Sequence, residues 1–429
     1  MLDRLYSTYL QSRKVTTDSR NITPGCIFFA FKGEHFDGNA FAPQALEQGA
    51  TLCVINDAKY KVDDRCLVVD NVLETLQELA REHRRHLSIP VVGITGTNGK
   101  TTTKELVHAV LAKRYSTSAT KGNFNNHLGV PLTLLSIPEN TELAIVEMGA
   151  NHPGEIAFLC GIADPDLGLI TNVGRAHLEG FGSFEGVIQT KTELYRHLAA
   201  KGGTVFVNKD NERLMAAVDS VRCSVFSYGR GEGADVRGTF VENNPYLHFY
   251  FEVGDNVYNV RTHLLGAYNF DNCMAAVAVG LHFGVEPWDI KEAIEEYVPS
   301  NQRSEYKETA RGNRLYLDCY NANPSSMAAA ISSFATMNGT MAIIGGMHEL
   351  GTEERQEHER VVEQLAACHL DRVLLVGPEW EPLSHPDNMT VFADTDSVHS
   401  WLQEHPISGA TILIKGSNTN RLWTLEELL

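Results

Sequence analysis

From Val91 onward the sequence repeats one cycle: an apolar strand, a glycine-bearing turn and a helix. "VVGITG" precedes "TTTKELVHAVLAKR", "LAIVEMG" precedes "PGEIAFLCGI", "LGLITNVG" precedes "FEGVIQTKTELYRHL", and "GTVFVN" precedes "NERLMAAV". Parallel neighbours cannot be joined by a tight turn, so each needs a crossover, and a helix is the crossover that buries its own apolar face on the sheet. The cycle therefore predicts a parallel sheet wrapped by helices, with ligands gathering at the carboxyl ends of the strands.

The flanking segments differ. Before residue 87 the strand signals "CIFFAF" and "TLCVI" surround the helical "FAPQALEQGA", and "REHRRHLSIP" forms a polar, proline-terminated junction. Residues 234–264 alternate around Asn-Pro and Gly-Asp turn signals, which predicts an antiparallel addition. After "PSNQRSE" a second alternating set begins with "RLYLDCY", "MAIIGG", "RVLLVG" and "TILIKG". The expected fold class is α/β in three domains. These are a small α/β N-terminal domain over 1–87, a central P-loop parallel-sheet ATPase domain with the antiparallel addition over 88–299, and a C-terminal Rossmann-like α/β domain over 300–429.

No apolar run approaches the ~20 residues of a membrane span, and the first ten residues lack the pattern of a signal peptide, so a cytoplasmic protein is expected. The eight cysteines are scattered without a C-x-x-C pair and read as reduced core residues. A formal net charge of −18 opposes a general nucleic-acid binder. An anionic substrate must then be held by a few local cations.

"GITGTNGKTT" (93–102) stands between a strand and a helix. There the loop amides from Gly96 through Thr97, Asn98 and Gly99 to Thr102 can cradle phosphates, Lys100 can reach the terminal ones, and the Thr101 hydroxyl can ligate Mg²⁺. The loop departs from the usual spacing, with Ile94 where a glycine six places before the lysine is common. Glu147 ends the next strand and His177 follows a further one, so both are predicted at the same sheet edge as Thr101. Lys191 raises a separate question. In a helix over 184–198, Val187, Leu194, Tyr195 and Leu198 form an apolar stripe, and Lys191 fills its gap. One reading is a snorkelling stem with its amine in water. The other is a desolvated amine that CO₂ converts to a carbamate, an anionic oxygen ligand for Mg²⁺.

These residues and the blocks after them resemble the Mur ligase family of ATP-dependent amide-forming enzymes over essentially the whole chain. The resemblance implies the catalytic set Lys100, Glu147, His177 and carbamylated Lys191, with two Mg²⁺ sites: Thr101 and Glu147 at one, His177 and Lys191 at the other. It implies nucleotide contacts from Asn269 and Asn272 in "YNFDNCMAA", and from Arg303 and Asp318. Within the family, "GNFNNHLGVPLTLL", "EMGANHPGEI" and "YNANPSSM" are similar to the member that adds D-alanyl-D-alanine to a UDP-N-acetylmuramoyl-tripeptide. The implied substrate residues are Ser19, Arg20, Lys32, Asp37 and Gly38, then Lys121, Asn123 and Asn126, and in the third domain Asn321 and Lys415. Three positions depart from the family pattern: Tyr268 stands for His, Gly346 for Asp in "GGMHELG", and Asn418 for Arg in "KGSN". The last leaves Lys415 and Arg421 to face a dipeptide carboxylate. A monomer that binds neither nucleic acid nor a membrane is expected. The alternatives are a sibling ligase adding a diamino acid and a folate-polyglutamylating one.

Overall fold

The structure, a computed structural model, describes residues 1–299, 303–337 and 339–429. The expected boundary at residue 300 lies outside the described residues. Among the described residues the strands form three sheets. The central one has nine strands in the order Asn256–Leu265, Tyr246–Val253, Val236–Asn243, Ser224–Gly229, Thr204–Asn208, Leu167–Ile170, Val91–Thr95, Leu143–Glu147 and Thr117–Ala119. Its pairings are parallel except the two made by Tyr246–Val253, so the alternating segment extends this sheet instead of forming a separate one. Val91–Thr95 has Leu143–Glu147 on one side and Leu167–Ile170 on the other. Chain order therefore reverses at Val91–Thr95, and the loops after these three strands open a crevice on one edge.

The strands are apolar because both faces are covered. Val92 and Ile94 face Leu106 and Val107 of the helix Lys100–Ala112 and, beyond it, Phe270 and Ala276. Val91, Ala144 and Val146 face the opposite way, into a core that also takes in Leu5, Tyr9, Leu76 and Leu79 of the N-terminal domain.

That domain is a four-stranded parallel sheet, Val15–Thr16, Ile27–Phe29, Leu52–Ile55 and Cys66–Val68. It is fused to the central domain through one apolar core. The polar junction expected near residue 87 is the last turn of the helix Val72–His86, docked rather than solvated. Arg84 is buried, donates to the carbonyls of Ala163 (2.9 Å) and Asp164 (2.8 Å) and pairs with Asp166 (2.8 Å). His83 is 2% exposed, and burial draws its pKa from 6.5 to about 4. An unfolded histidine takes its proton near pH 6.5, so the stability this group contributes is present above that value and lost as pH falls from 6.5 toward 4. His83→Gln should flatten the fall of melting temperature over that window, as scanning calorimetry at stepped pH would show.

The third sheet runs Glu305–Glu308, Arg314–Asp318, Thr411–Lys415, Met341–Gly345, Arg372–Val376 and Met389–Phe392, parallel except for its first pairing. All eight cysteines are free thiols, most of them buried. Where a single helix was expected over 184–198, two form, Phe184–Lys191 and Glu193–Lys201, meeting at Thr192. The Thr192 hydroxyl donates to the Ile188 carbonyl (2.8 Å), which also accepts from the Thr192 amide (3.0 Å). The apolar stripe survives the break, since Val187, Leu194, Tyr195 and Leu198 are all fully buried.

Candidate active site

The phosphate loop owes its shape to two glycines and one neighbouring strand end. Gly96 has φ +144°, and a Cβ there would come within 2.0 Å of the Thr171 hydroxyl; Gly99 has φ +78°, and a Cβ would meet the Asn272 amide at 2.5 Å. Asn172 then grips the loop, accepting from the amides of Thr97 (3.0 Å, through its carbonyl) and Asn98 (3.0 Å, through Oδ1). Lys100 Nζ curls back onto the carbonyls of Gly96 (2.8 Å) and Thr97 (3.0 Å), and desolvation lowers its pKa despite the nearby Glu147.

Glu147 is 1% exposed. Its Oε1 accepts from the Thr101 hydroxyl (3.3 Å) and from Asn125 Nδ2 (2.8 Å), whereas Oε2 is buried with no partner. A buried carboxylate oxygen without a donor is costly unless a cation completes it. The Thr101–Glu147 pair thus fits a hard divalent ion taking oxygen ligands. Among the described residues no group of three or more His, Cys, Asp or Glu side chains is arranged to hold a metal.

His177, at φ +50°, caps the short helix Leu178–Phe181 and directs Nδ1 to the Glu349 carboxylate of the third domain. Desolvation lowers its pKa, with Lys100 and Lys191 pushing the same way against Glu349. Phe181 links this histidine to Lys191: its ring lies 6.4 Å from the His177 ring and 5.4 Å from Lys191 Nζ. Lys191 does not snorkel. It is 2% exposed, its Nζ donates to the Ala150 carbonyl (3.1 Å), and desolvation, reinforced by Lys100, holds its pKa well below the usual lysine value. A neutral amine is the form that adds CO₂.

A cavity of about 630 Å³ separates the central and third sheets at their carboxyl edges. Thr97 to Thr102, Glu147, His177, Asn269 and Asn272 line one side; Arg303, Asp318, Asn321 and Lys415 line the other. Asp318 and Lys415 end adjacent strands in register, which brings Oδ2 and Nζ to 2.6 Å. Lys415 is fully buried and also donates to the Asn321 carbonyl (3.2 Å), so its amine is already engaged. Arg303 lies over the Tyr320 ring at 3.6 Å from its centroid.

Tyr268 lines the cavity and bonds Ser304 across the domain junction (2.9 Å). At Gly346 a Cβ would fall 2.4 Å from Glu379 Oε2, so the Glu379 carboxylate fills the room an aspartate would need. Asn418 opens a short 3₁₀ turn capped by Ser417.

Asn123 and Asn126 line the cavity, and Asn126 also accepts from the Gly129 amide (2.9 Å) at a helix start. Lys121 is exposed and does not line it. Nor do Ser19, Arg20, Lys32, Asp37 and Gly38. Arg20 pairs with Asp18 (2.9 Å), and Asp37 caps a 3₁₀ turn through the Asn39 amide (3.0 Å). Lys191 sits behind the wall, held to Ala150, which lines it. Asn125, Asn172, Tyr320 and Glu349 were not singled out from the sequence. Asn125 had a signal, its place in the amide-rich "GNFNN"; the others become visible only when separate segments meet.

Family models match the chain in three blocks: "Mur ligase family, catalytic domain" over residues 12–87, "Mur ligase middle domain" over 94–280 and "Mur ligase, glutamate ligase domain" over 302–418. The UDP-N-acetylmuramoyl-tripeptide–D-alanyl-D-alanine ligase of Bacillus subtilis is 34% identical, with 95% of this chain and 91% of the relative covered. Its Escherichia coli counterpart is also 34% identical, over 94% and 91%. Among solved structures, MurF of Acinetobacter baumannii superposes with a TM-score of 0.86 at 32% identity, covering 96% of this chain and 92% of that one. The MurF ligase of Thermotoga maritima in complex with ADP gives 0.86 at 30%, covering 98% and 97%. With a phosphate loop facing a third-domain edge and full-length likeness of this depth, the chain belongs to the Mur ligase family.

Proposed function

We propose that this chain joins D-alanyl-D-alanine to a UDP-N-acetylmuramoyl-tripeptide, with ATP converted to ADP and phosphate. Relatives of that name, 34% identical over nearly the whole chain, support the substrate pair, and the ADP complex of a 30% identical relative supports the nucleotide. The observation that carries the reading is the single cavity into which the phosphate loop, the half-partnered Glu147 carboxylate and the Asp318–Lys415 edge all open.

A carboxylate is a poor electrophile, so ATP first phosphorylates it, and the dipeptide amine then displaces phosphate from the acyl phosphate. Phosphoryl transfer leaves the protein mainly positioning and charge neutralisation. Gly96 to Thr102 cradle the phosphates and Lys100 carries charge on the moving group. Asn269, Asn272, Arg303 and Asp318 hold the nucleoside. Thr101 and Glu147 would hold one Mg²⁺, and His177 with carbamylated Lys191 a second. Bound there, the ions supply neutralisation of the phosphate and developing acyl phosphate charge. Ser19, Arg20, Lys32, Asp37 and Gly38 receive the UDP end of the precursor, Lys121, Asn123 and Asn126 its middle, and Asn321 and Lys415 border the amine's approach.

The working division is 1–87 for the precursor, 88–299 for ATP and 300–429 for the incoming amine. All of it comes from one chain, which suits a monomer. No helix among the described residues is long and apolar enough to cross a membrane; nucleotide-linked substrates support a cytoplasmic site of action.

The test is phosphate release from ATP and UDP-muramoyl-tripeptide with single amines. Release is expected with D-Ala-D-Ala and not with diaminopimelate, lysine or glutamate. Release with a diamino acid and none with the dipeptide would move the chain to the sibling activity.

A further inference from the structure

We propose that Glu349, carried by the third domain, is the positioning residue of His177: its carboxylate accepts the Nδ1 proton, leaving Nε2 as the free lone pair for a cation, so that the second cation site is complete only when the third domain is docked. The inference rests on the proposed assignment of His177 to that site.

Three observations carry it. His177 follows a strand end of the central sheet and Glu349 a strand end of the third sheet, and their side chains meet across the domain boundary. Both backbones are left-handed, φ +50° at His177 and +60° at Glu349, a conformation that side-chain-bearing residues rarely adopt. The neighbouring chain braces them, since the Glu179 amide donates to the Glu349 carbonyl (3.4 Å) and Gly351 lies against Glu179. Second, a carboxylate can only accept, so the Nδ1 that faces Glu349 is the nitrogen that carries the hydrogen. A carboxylate on the donating nitrogen is the usual device for fixing which one.

Third, the contacts between the two domains that surround this pair are polar, although elsewhere along the boundary Leu265 and Tyr246 of the central domain pack into the third domain's core. Arg175 Nη1 pairs with Glu357 (2.6 Å), the Arg175 amide donates to Ser325 (2.7 Å), and Asn323 Nδ2 donates to Asn98 Oδ1 in the phosphate loop (2.8 Å). Such groups return to water at little cost, unlike the apolar core that fuses the N-terminal domain to the central one. The Glu349 side chain is itself half exposed, so it is solvated readily when the domains part. Docking would thus bring the tautomer-setting group to His177 in the same movement that brings Asn323 to the phosphate loop.

The experiment measures Mn²⁺ binding by electron paramagnetic resonance to the full-length protein with ADP and UDP-muramoyl-tripeptide, a mixture that does not turn over. Rates against Mg²⁺ concentration are measured in parallel. Glu349→Ala should weaken one of two Mn²⁺ ions by about 10- to 100-fold and raise the Mg²⁺ requirement by a similar factor, with the KM for ATP near wild type. Glu349→Gln, whose amide oxygen can accept the same proton, should recover most of the affinity. If Glu349→Ala binds both ions as wild type does, or if Gln fares no better than Ala, the inference is overturned while the ligase reading stands. A wild-type protein that binds only one ion would remove the two-cation site, and this inference with it, even if D-Ala-D-Ala ligation is observed.

Discussion

Lys191→Met is expected to lose turnover by about 100- to 1000-fold with little change in melting temperature, because it keeps the buried stem and removes only the amine. The size follows from the site: losing one preorganised charge-stabilising group in a water-excluded cavity costs that much in other enzymes. The structure has already removed the bland account of this lysine, since an amine 2% exposed and bonded to Ala150 is not reaching for water. What remains is a desolvated amine whose pKa is drawn well below the usual lysine value, over the Phe181 ring that also packs against His177. Lys191→Ala should be as inactive and also less stable, through the lost packing of the stem. Its vacated space gives a second reading. A short carboxylate such as acetate, or high bicarbonate, should restore part of the Ala variant's rate and none of the Met variant's, whose side chain fills the room. Phosphate release with D-Ala-D-Ala measures both, and a Met variant within a few-fold of wild type would return Lys191 to a purely structural role.

Which of these features could be read in advance follows from what a sequence encodes. The middle of the central sheet was legible because Val91–Thr95, Leu143–Glu147 and Leu167–Ile170 are buried throughout and announce themselves as apolar runs before glycine-bearing turns. The phosphate loop, Glu147 and His177 could be placed on one edge because parallel strands all end on the same side. The edge strands Glu305–Glu308 and Met389–Phe392 were not legible; both are short, and Glu305–Glu308 is polar and only partly buried. The break at Thr192 leaves the apolar stripe continuous across two helices, so periodicity does not register it. Depth was also hidden. Pattern says which way Lys191 points and not how far the wall extends beyond it, and it made Arg84 look solvated when Ala163 and Asp164 close over it. Pairings between remote segments, such as Asn125 with Glu147, have no local signature at all. The N-terminal residues Arg20 and Asp37 show the converse: a family resemblance assigns them to substrate, while in the protein alone they hold a surface pair and a turn.

Glu147→Gln should separate function from stability in opposite directions. The amide keeps the shape of the carboxylate and its oxygen can still accept from Thr101 and Asn125, so the fold around the crevice has no reason to move. What disappears is the negative charge, half of which in the ligand-free protein ends on a buried oxygen with no partner. A carboxylate oxygen buried without a donor costs stability that a neutral amide carries to a lesser degree, here by roughly 1 kcal/mol, so the ligand-free variant should melt at or above the wild-type temperature. The same change takes an anionic ligand from the cation beside the phosphates, and turnover should fall by about 100- to 1000-fold. Adding Mg²⁺ and ADP should raise the wild-type melting temperature and leave that of the variant almost unmoved, because stabilisation by a ligand scales with its affinity for the folded state. This opposition is what a carboxylate kept for chemistry produces, stored at a cost the ligand-free fold bears. If Gln instead lowers both activity and the ligand-free melting temperature, Glu147 is a structural group whose second oxygen has a partner in solution, and the first cation site must be sought elsewhere on the crevice.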